Sequence, residues 1–140
     1  MGGTYRQRER VLRFAAESFG TQPEYLWADT PEAAVLRHPN SKKWYGILMR
    51  VSRERLGLEG PGAADVLNLK CGSLLLGSLL EEPGFLPAYH MSKTHWVSIL
   101  LDGPAEDEAV FSLLELSYAN VAPKPKKRRT QSESVEKPEG

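Results

Sequence analysis

Cysteine is nearly absent. Cys71 stands alone among 140 residues, so no internal disulfide can form and a disulfide-stapled secreted scaffold is excluded. Long apolar runs are missing as well. The richest window, Leu74–Leu80, is broken by Gly77 and Ser78 and falls far short of the roughly 18 consecutive apolar residues that a membrane helix needs. Near the N-terminus Arg6, Arg8 and Arg10 precede no apolar segment, so no secretory leader is expected. Met1-Gly2 opens like a myristoylation signal, but Arg6 occupies the place where Ser or Thr is wanted. A reducing, cytoplasmic compartment is the expectation. Nor is there a net charge of either sign, since 18 Lys and Arg balance 18 Asp and Glu.

Catalytic signatures are equally scarce. The chain has no Gly-x-Gly-x-x-Gly after a strand, no phosphate loop and no Gly-x-Ser-x-Gly elbow. His90 and His95 lie five apart, His38 is remote, and no second thiol joins Cys71, so no metal site is expected. A Cys71–His95 nucleophile pair lacks an evident third group to orient the imidazole. Glu106, Asp107 and Glu108 read as the acidic first turn of a helix rather than as a general-acid pair. The expectation is a non-enzymatic protein without cofactors, and a monomer.

What the chain does contain is an ordinary share of hydrophobic residues, 41%, and a length suited to one domain. The charge is unevenly spread. Residues 1–55 hold ten basic and six acidic side chains, whereas residues 56–122 hold only Lys70 and Lys93 against nine acids. Residues 123–140 return to a basic excess, six against three. The first 122 residues are therefore net −3, which argues against a diffuse field for nucleic acid but permits a local basic stripe. From Pro123 onward only Val135 offers an aliphatic side chain. The expected organisation is thus a domain over 1–122 and a disordered polybasic tail over 123–140, carrying Lys124, Lys126, Lys127, Arg128 and Arg129.

Within the domain, apolar spacing predicts an amphipathic helix over 4–18 stopped by Gly20, and another over 104–119. A short helix over 73–82 opens with Ser73 as a candidate cap and ends at Pro83-Gly84. Strands are expected at 24–27, 34–37, 43–51, 65–70 and 94–101, with an extended piece at 88–90. His38-Pro-Asn-Ser41 reads as a hairpin turn, and Gly46 as a bulge or a close backbone approach. In 65–70, Val66 with Asn68 is expected to face inward and Leu67 with Leu69 outward, with both faces partly covered. The fold class is α+β, a two-layer sandwich with helices packed on one antiparallel sheet.

Three segments interleave aromatic and basic residues: Asn40–Tyr45, Asn68–Cys71 and Pro87–Trp96. Such mixtures suit phosphate pairing with stacking on a nucleic acid or another anion. They also suit core aromatics with polar tips at the surface. The core reading is preferred for Trp44 and Trp96, which have apolar strand neighbours. Lys43, Lys70, Lys93 and His95 fit either reading. A small-ligand pocket around Tyr89, His90 and Lys93 is a further possibility.

The same segments resemble the YjbR/MmcQ family of small bacterial domains. The likeness is carried by His38-Pro-Asn-Ser-Lys-Lys-Trp-Tyr45, Val66-Leu-Asn-Leu-Lys-Cys71, Pro83-Gly84, Pro87-Ala-Tyr-His-Met-Ser-Lys-Thr-His-Trp-Val-Ser-Ile99 and Ser117-Tyr118. The resemblance implies a fold like that of secretion chaperones, with a double-wing arrangement suggestive of DNA binding. It carries Lys43, Asn68, Lys70, Tyr89, His90, Lys93, His95 and Trp96 forward as a shared surface, which Lys42 adjoins. The functional expectation is a salt-sensitive DNA contact from Lys and Arg on wing-like hairpins, assisted by the tail. The alternative is a protein-interaction or chaperone-like module.

Overall fold

The computed structural model describes residues 6–124; the tail residues Lys126, Lys127, Arg128 and Arg129 lie outside the described residues. Helix α1 runs Gln7–Phe19 and buries Val11 and Ala15, four apart on one face. It stops where Gly20 turns left-handed at φ 68°, a conformation that costs glycine nothing. The strands are β1 (Ala34–Arg37), β2 (Trp44–Ser52), β3 (Ala63–Lys70), β4 (Phe85–Pro87) and β5 (Trp96–Leu100). Helix α2 (Ser73–Leu80) lies between β3 and β4, and helix α3 (Asp107–Asn120) closes the domain. All pairings are antiparallel, in the order β1-β2-β3-β5-β4. This is the α+β architecture that the periodicity implies.

One face of the sheet, formed by Leu36, Leu48, Leu67, Leu69, Val97 and Ile99, packs against Val11, Ala15, Val110 and Leu114 of the long helices. The inward residues of β3 are therefore Leu67 and Leu69, the reverse of the expected assignment. Both sides of β3 are apolar enough to be buried, and alternation alone could not choose between them. Gly46 matches its expectation. A Cβ there would sit 3.0 Å from Leu36 Cδ1 and 3.4 Å from Leu114 Cδ1. The β1–β2 register slips beside it, pairing Leu36 with Gly46 and Arg37 with Trp44, so Tyr45 is the extra residue of a bulge. The bulge turns the Tyr45 ring into the core, where its hydroxyl shares a short hydrogen bond with Thr21. Burial pushes the Tyr45 phenol up to about 12.

Several expected boundaries differ. Residues 24–27 form no strand; Glu24 makes one bridge to Val35 before the chain turns through 28–32. The extended piece expected at 88–90 lies earlier, as the strand Phe85–Pro87. Pro87 has no N–H to extend the ladder, and His90 turns the chain at φ 62°. Strand β5 starts at Trp96 rather than Thr94, because Trp96 N–H donates to the Ser92 carbonyl at 3.0 Å in a preceding turn. The cap of α2 is Gly72, at φ 84°, and not Ser73. Helix α3 does begin with acids: Asp107 accepts from Arg10 Nε at 2.6 Å and from Gln7 Nε2 at 2.9 Å. The Arg10 guanidinium holds the Asp107 carboxyl below its ordinary range. Among the described residues, no helix is long and apolar enough to cross a membrane.

Candidate functional site

The topology gathers the sequence-derived residues at one end of the sheet. β1 ends there at Arg37, β2 begins at Trp44, β3 ends at Lys70 and β5 begins at Trp96. The turn bearing Lys42 and Lys43 and the segment 88–95 bearing Tyr89, His90, Lys93 and His95 emerge at this same end. Helix α3 also finishes here, where Asn120 Nδ2 donates to the Lys70 carbonyl at 2.9 Å. The exposed Lys124 follows four residues later. Asp65, Asp102, Glu106 and Asp107 lie at the opposite end, with Glu54 and Glu59 in the β2–β3 connection. Arginines share that end: Asp65 pairs with Arg6 and Arg50 and Asp107 with Arg10, whereas no ion pair holds Lys42, Lys43, Lys70 or Lys93 among the described residues.

Local chemistry builds the first turn. The buried His38 accepts the N–H groups of Asn40 and Ser41 at Nδ1, 3.1 and 3.3 Å, so in the neutral ring Nε2 carries the proton. Its ring stacks on Tyr118 with centroids 4.4 Å apart. Lys42 completes the turn in a left-handed conformation, φ 67°, and its side chain and that of Lys43 are exposed. At the bulge, Ser117 Oγ donates to the Tyr45 carbonyl at 2.6 Å and accepts the Lys70 N–H at 2.8 Å. One hydroxyl thus ties α3 to two strands where the candidate residues meet.

Segment 88–95 crosses the sheet face opposite the long helices. Tyr89 N–H donates to Ser98 Oγ at 2.9 Å, and the Tyr89 carbonyl accepts from Asn68 Nδ2 at 3.3 Å. Arg55 Nη1 donates to the Tyr89 hydroxyl at 3.5 Å, and this contact raises the arginine further. Lys93 Nζ donates to the Ala88 carbonyl at 2.9 Å, pinning the loop with one of its three protons. His90 and His95 are exposed, and His95 Nδ1 lies 3.0 Å from Thr94 Oγ1.

Two expectations need correction. Asn68 is fully buried, so it supports the surface from beneath and is not part of it; the strand pattern turns it inward, and only the resemblance carries it to the surface. Trp44 is only half-buried. It meets Trp27 edge-on, with centroids 5.8 Å apart, because the opposite sheet face has no helix over it at this point. Trp96, at 9% exposure, is a core residue as expected. Cys71 is buried, its thiol pushed up by desolvation, and meets His95 through the backbone: Sγ lies 3.6 Å from the His95 carbonyl, while the imidazole faces Thr94. Among the described residues no group of three His, Cys, Asp or Glu side chains could hold a metal ion.

Sequence reasoning missed the cleft beside these residues. It measures about 310 Å³ and is lined by Trp27, Trp44, Ile47, Met49, His90 and Met91, with Asp29 and Thr30 on its rim. The signal was present in Tyr25-Leu-Trp27, three large apolar residues in a polar stretch, which were absorbed into an expected strand. Tyr89 and Lys93 do not line this cleft, so the pocket imagined around them is displaced toward the tryptophans.

A YjbR family model matches residues 17–120, a span that includes the bulge, the loop 88–95 and all of α3. The chain belongs to the YjbR family. It is 42% identical over 111 residues to YyaQ of Bacillus subtilis (strain 168), covering 79% of this chain and 94% of YyaQ. A crystal structure of a Pseudomonas syringae protein superposes with a TM-score of 0.80 at 38% identity, covering 81% of this chain and 97% of that one. A Deinococcus radiodurans protein, DR2400, with a DUF419 domain, gives 0.65 at 21% identity over 91% of this chain and 87% of its own, a likeness of fold. The YjbR match ends at residue 120, where α3 hands over to the basic segment.

Proposed function

We propose that this YjbR domain is a non-enzymatic nucleic-acid-binding module that holds phosphates with cations at one end of its sheet. The observation that carries this reading is the convergence of Lys42, Lys43, Lys70 and Lys93, with His95 beside them, at that end. Among the described residues none of the four lysines is held in an ion pair, as Asp65 and Asp107 hold arginines at the other end. Phosphate contacts need local positive charge rather than a positive total, and these lysines supply it. The polybasic segment follows α3 in the sequence, and its first cation, Lys124, is exposed. The test is a titration of duplex DNA and of RNA at two salt concentrations. Full-length protein is compared with a chain ending at residue 122 and with that chain carrying Lys43→Ala, Lys70→Ala and Lys93→Ala. Each lost phosphate contact should reduce the log–log salt slope by about one. Binding that vanishes on truncation assigns it to the tail, and the domain reading fails.

A second reading, a protein-interaction module, is favoured by α2. None of its residues is fully buried; Leu74 is 97% exposed, and Leu75 and Leu80 are exposed beside it. An apolar helix face of this kind suits a protein partner. Absence of any nucleic-acid binding at low salt, together with association abolished by Leu74→Glu, would select it.

A further inference from the structure

The cleft on the helix-free face of the sheet has the composition of a stacking site. Its floor is Ile47 and Met49 of β2, and its walls are Trp27, Trp44, His90 and Met91. Trp27 is 37% exposed, so a large indole stands partly free beside the half-buried Trp44. An exposed tryptophan is costly in water, and one that stands beside a second, partly buried indole on a concave surface marks a binding feature. At about 310 Å³ the cleft sits at the bottom of the roughly 300–1,000 Å³ range of ligand pockets, room for one planar group. His90 reaches it from a left-handed backbone conformation, φ 62°, that a non-glycine residue adopts only when its surroundings enforce it. Asn68, Ser98 and Lys93 fix the backbone that leads into it, holding the Tyr89 N–H and carbonyl and the Ala88 carbonyl.

Charge decides what the planar group belongs to. The Arg37 guanidinium lies 6.0 Å from the Trp44 ring centroid and is ion-paired with Glu24 at 2.9 Å. Lys42 and Lys43 occupy the two positions before Trp44 and Lys93 follows Met91 by two, so three lysines flank a lining that contains one carboxylate, Asp29. An apolar peptide would gain nothing from these cations. A base attached to a phosphodiester backbone would use both features at once, ring on ring and phosphate on lysine. In a duplex the base faces are already stacked on one another, so a concave aromatic cleft accepts only an unpaired base.

We infer that the Trp27–Trp44–His90 cleft takes an unpaired base of single-stranded nucleic acid, with Lys42, Lys43 and Lys93 on the flanking phosphates. This rests on the nucleic-acid reading above and narrows it to single strands. The test uses the full chain with Lys124, Lys126, Lys127, Arg128 and Arg129 changed to Ala, which removes the tail's charge. Labelled oligothymidylate of about 15 nucleotides and a duplex of equal length are titrated by anisotropy at about 50 and 200 mM salt. The expected result is tighter binding of the single strand, quenching of tryptophan fluorescence, and a roughly 5- to 150-fold loss of affinity in Trp27→Ala at an unchanged salt slope. Because Trp96 is buried, quenching reports on Trp27 and Trp44. Trp27→Phe keeps an aromatic face and should retain most of the affinity, which separates stacking from damage to the fold. If single strand and duplex bind alike and Trp27→Ala changes nothing, the base site is overturned while phosphate binding stands. If neither binds at low salt, the nucleic-acid reading falls and the cleft assignment falls with it.

Discussion

Ser98 Oγ donates to Asn68 Oδ1 across the β3–β5 ladder, and each residue then captures one backbone group of Tyr89. The two side chains, directly opposed in the register and both fully buried, do for loop 88–95 what a neighbouring strand's backbone does for a strand. Loops seldom lie on a sheet without such satisfaction, since buried amides left unpaired are costly.

Asn68→Ala should therefore destabilise the domain by about 1–3 kcal/mol, the cost of leaving the Tyr89 carbonyl and the Ser98 hydroxyl without partners. Urea denaturation measures it. Hydrogen exchange at residues 89–95 should accelerate more than in the rest of the sheet. Uniform acceleration across all strands would show that Asn68 is only a general core residue.

The two strand tryptophans should part company. Trp96→Ala should cost roughly 3–5 kcal/mol, as expected for a buried aromatic. Trp44→Ala, at a half-exposed site, should cost well under that and lower oligonucleotide affinity in a protein that still melts cooperatively. Equal losses of stability in the two variants would return Trp44 to the core.

Both tryptophans looked alike in the sequence, flanked as they are by apolar strand residues. Trp96 alternates with the core-facing Val97 and shares the helix-free face with Ser98 and Trp44; what separates the tryptophans is cover, loop 88–95 lying on that face at Ser98 while Trp44 meets Trp27. Which face the helices leave free is decided by α1 and α3 choosing Leu67 and Leu69 over Val66 and Asn68. A strand apolar on both sides carries no mark of that choice. Features fixed by local chemistry were readable: Gly20 ending α1, the acidic start of α3, the crowding at Gly46, the turn at His38–Ser41. Features set by distant contact were not, among them the burial of Asn68, the edge strand at Phe85–Pro87 and the approach of Trp27 to Trp44.

Alkali should expose the bulge. The Tyr45 phenol is held near 12 in the folded chain against about 10 unfolded, so between these values the unfolded state loses a proton that the native state keeps. The stability this proton confers is complete below about pH 10 and is lost as pH rises toward 12. Comparing denaturation of the parent and Tyr45→Phe across that window isolates the contribution: the parent should fall more steeply. Parallel curves would place the phenol in contact with water.

Truncation after residue 122 should leave the melting temperature within a few degrees. The described core closes at the buried Val121, and changes confined to surface segments usually shift stability by about 0.5 kcal/mol. Thermal melting followed by circular dichroism measures this. A large drop would mean that the basic segment packs on the domain.

The two outer strands of the sheet have a consequence for behaviour in concentrated solution. β4 has only three residues and ends on Pro87, which offers no donor to an incoming chain. β1 has four, and Val35 spends its outward N–H and carbonyl on Glu24 at 2.9 Å each. Neither rim leaves a long flat ladder on which a second molecule's strand can dock, so the sheet is a closed template that does not seed its own polymerisation.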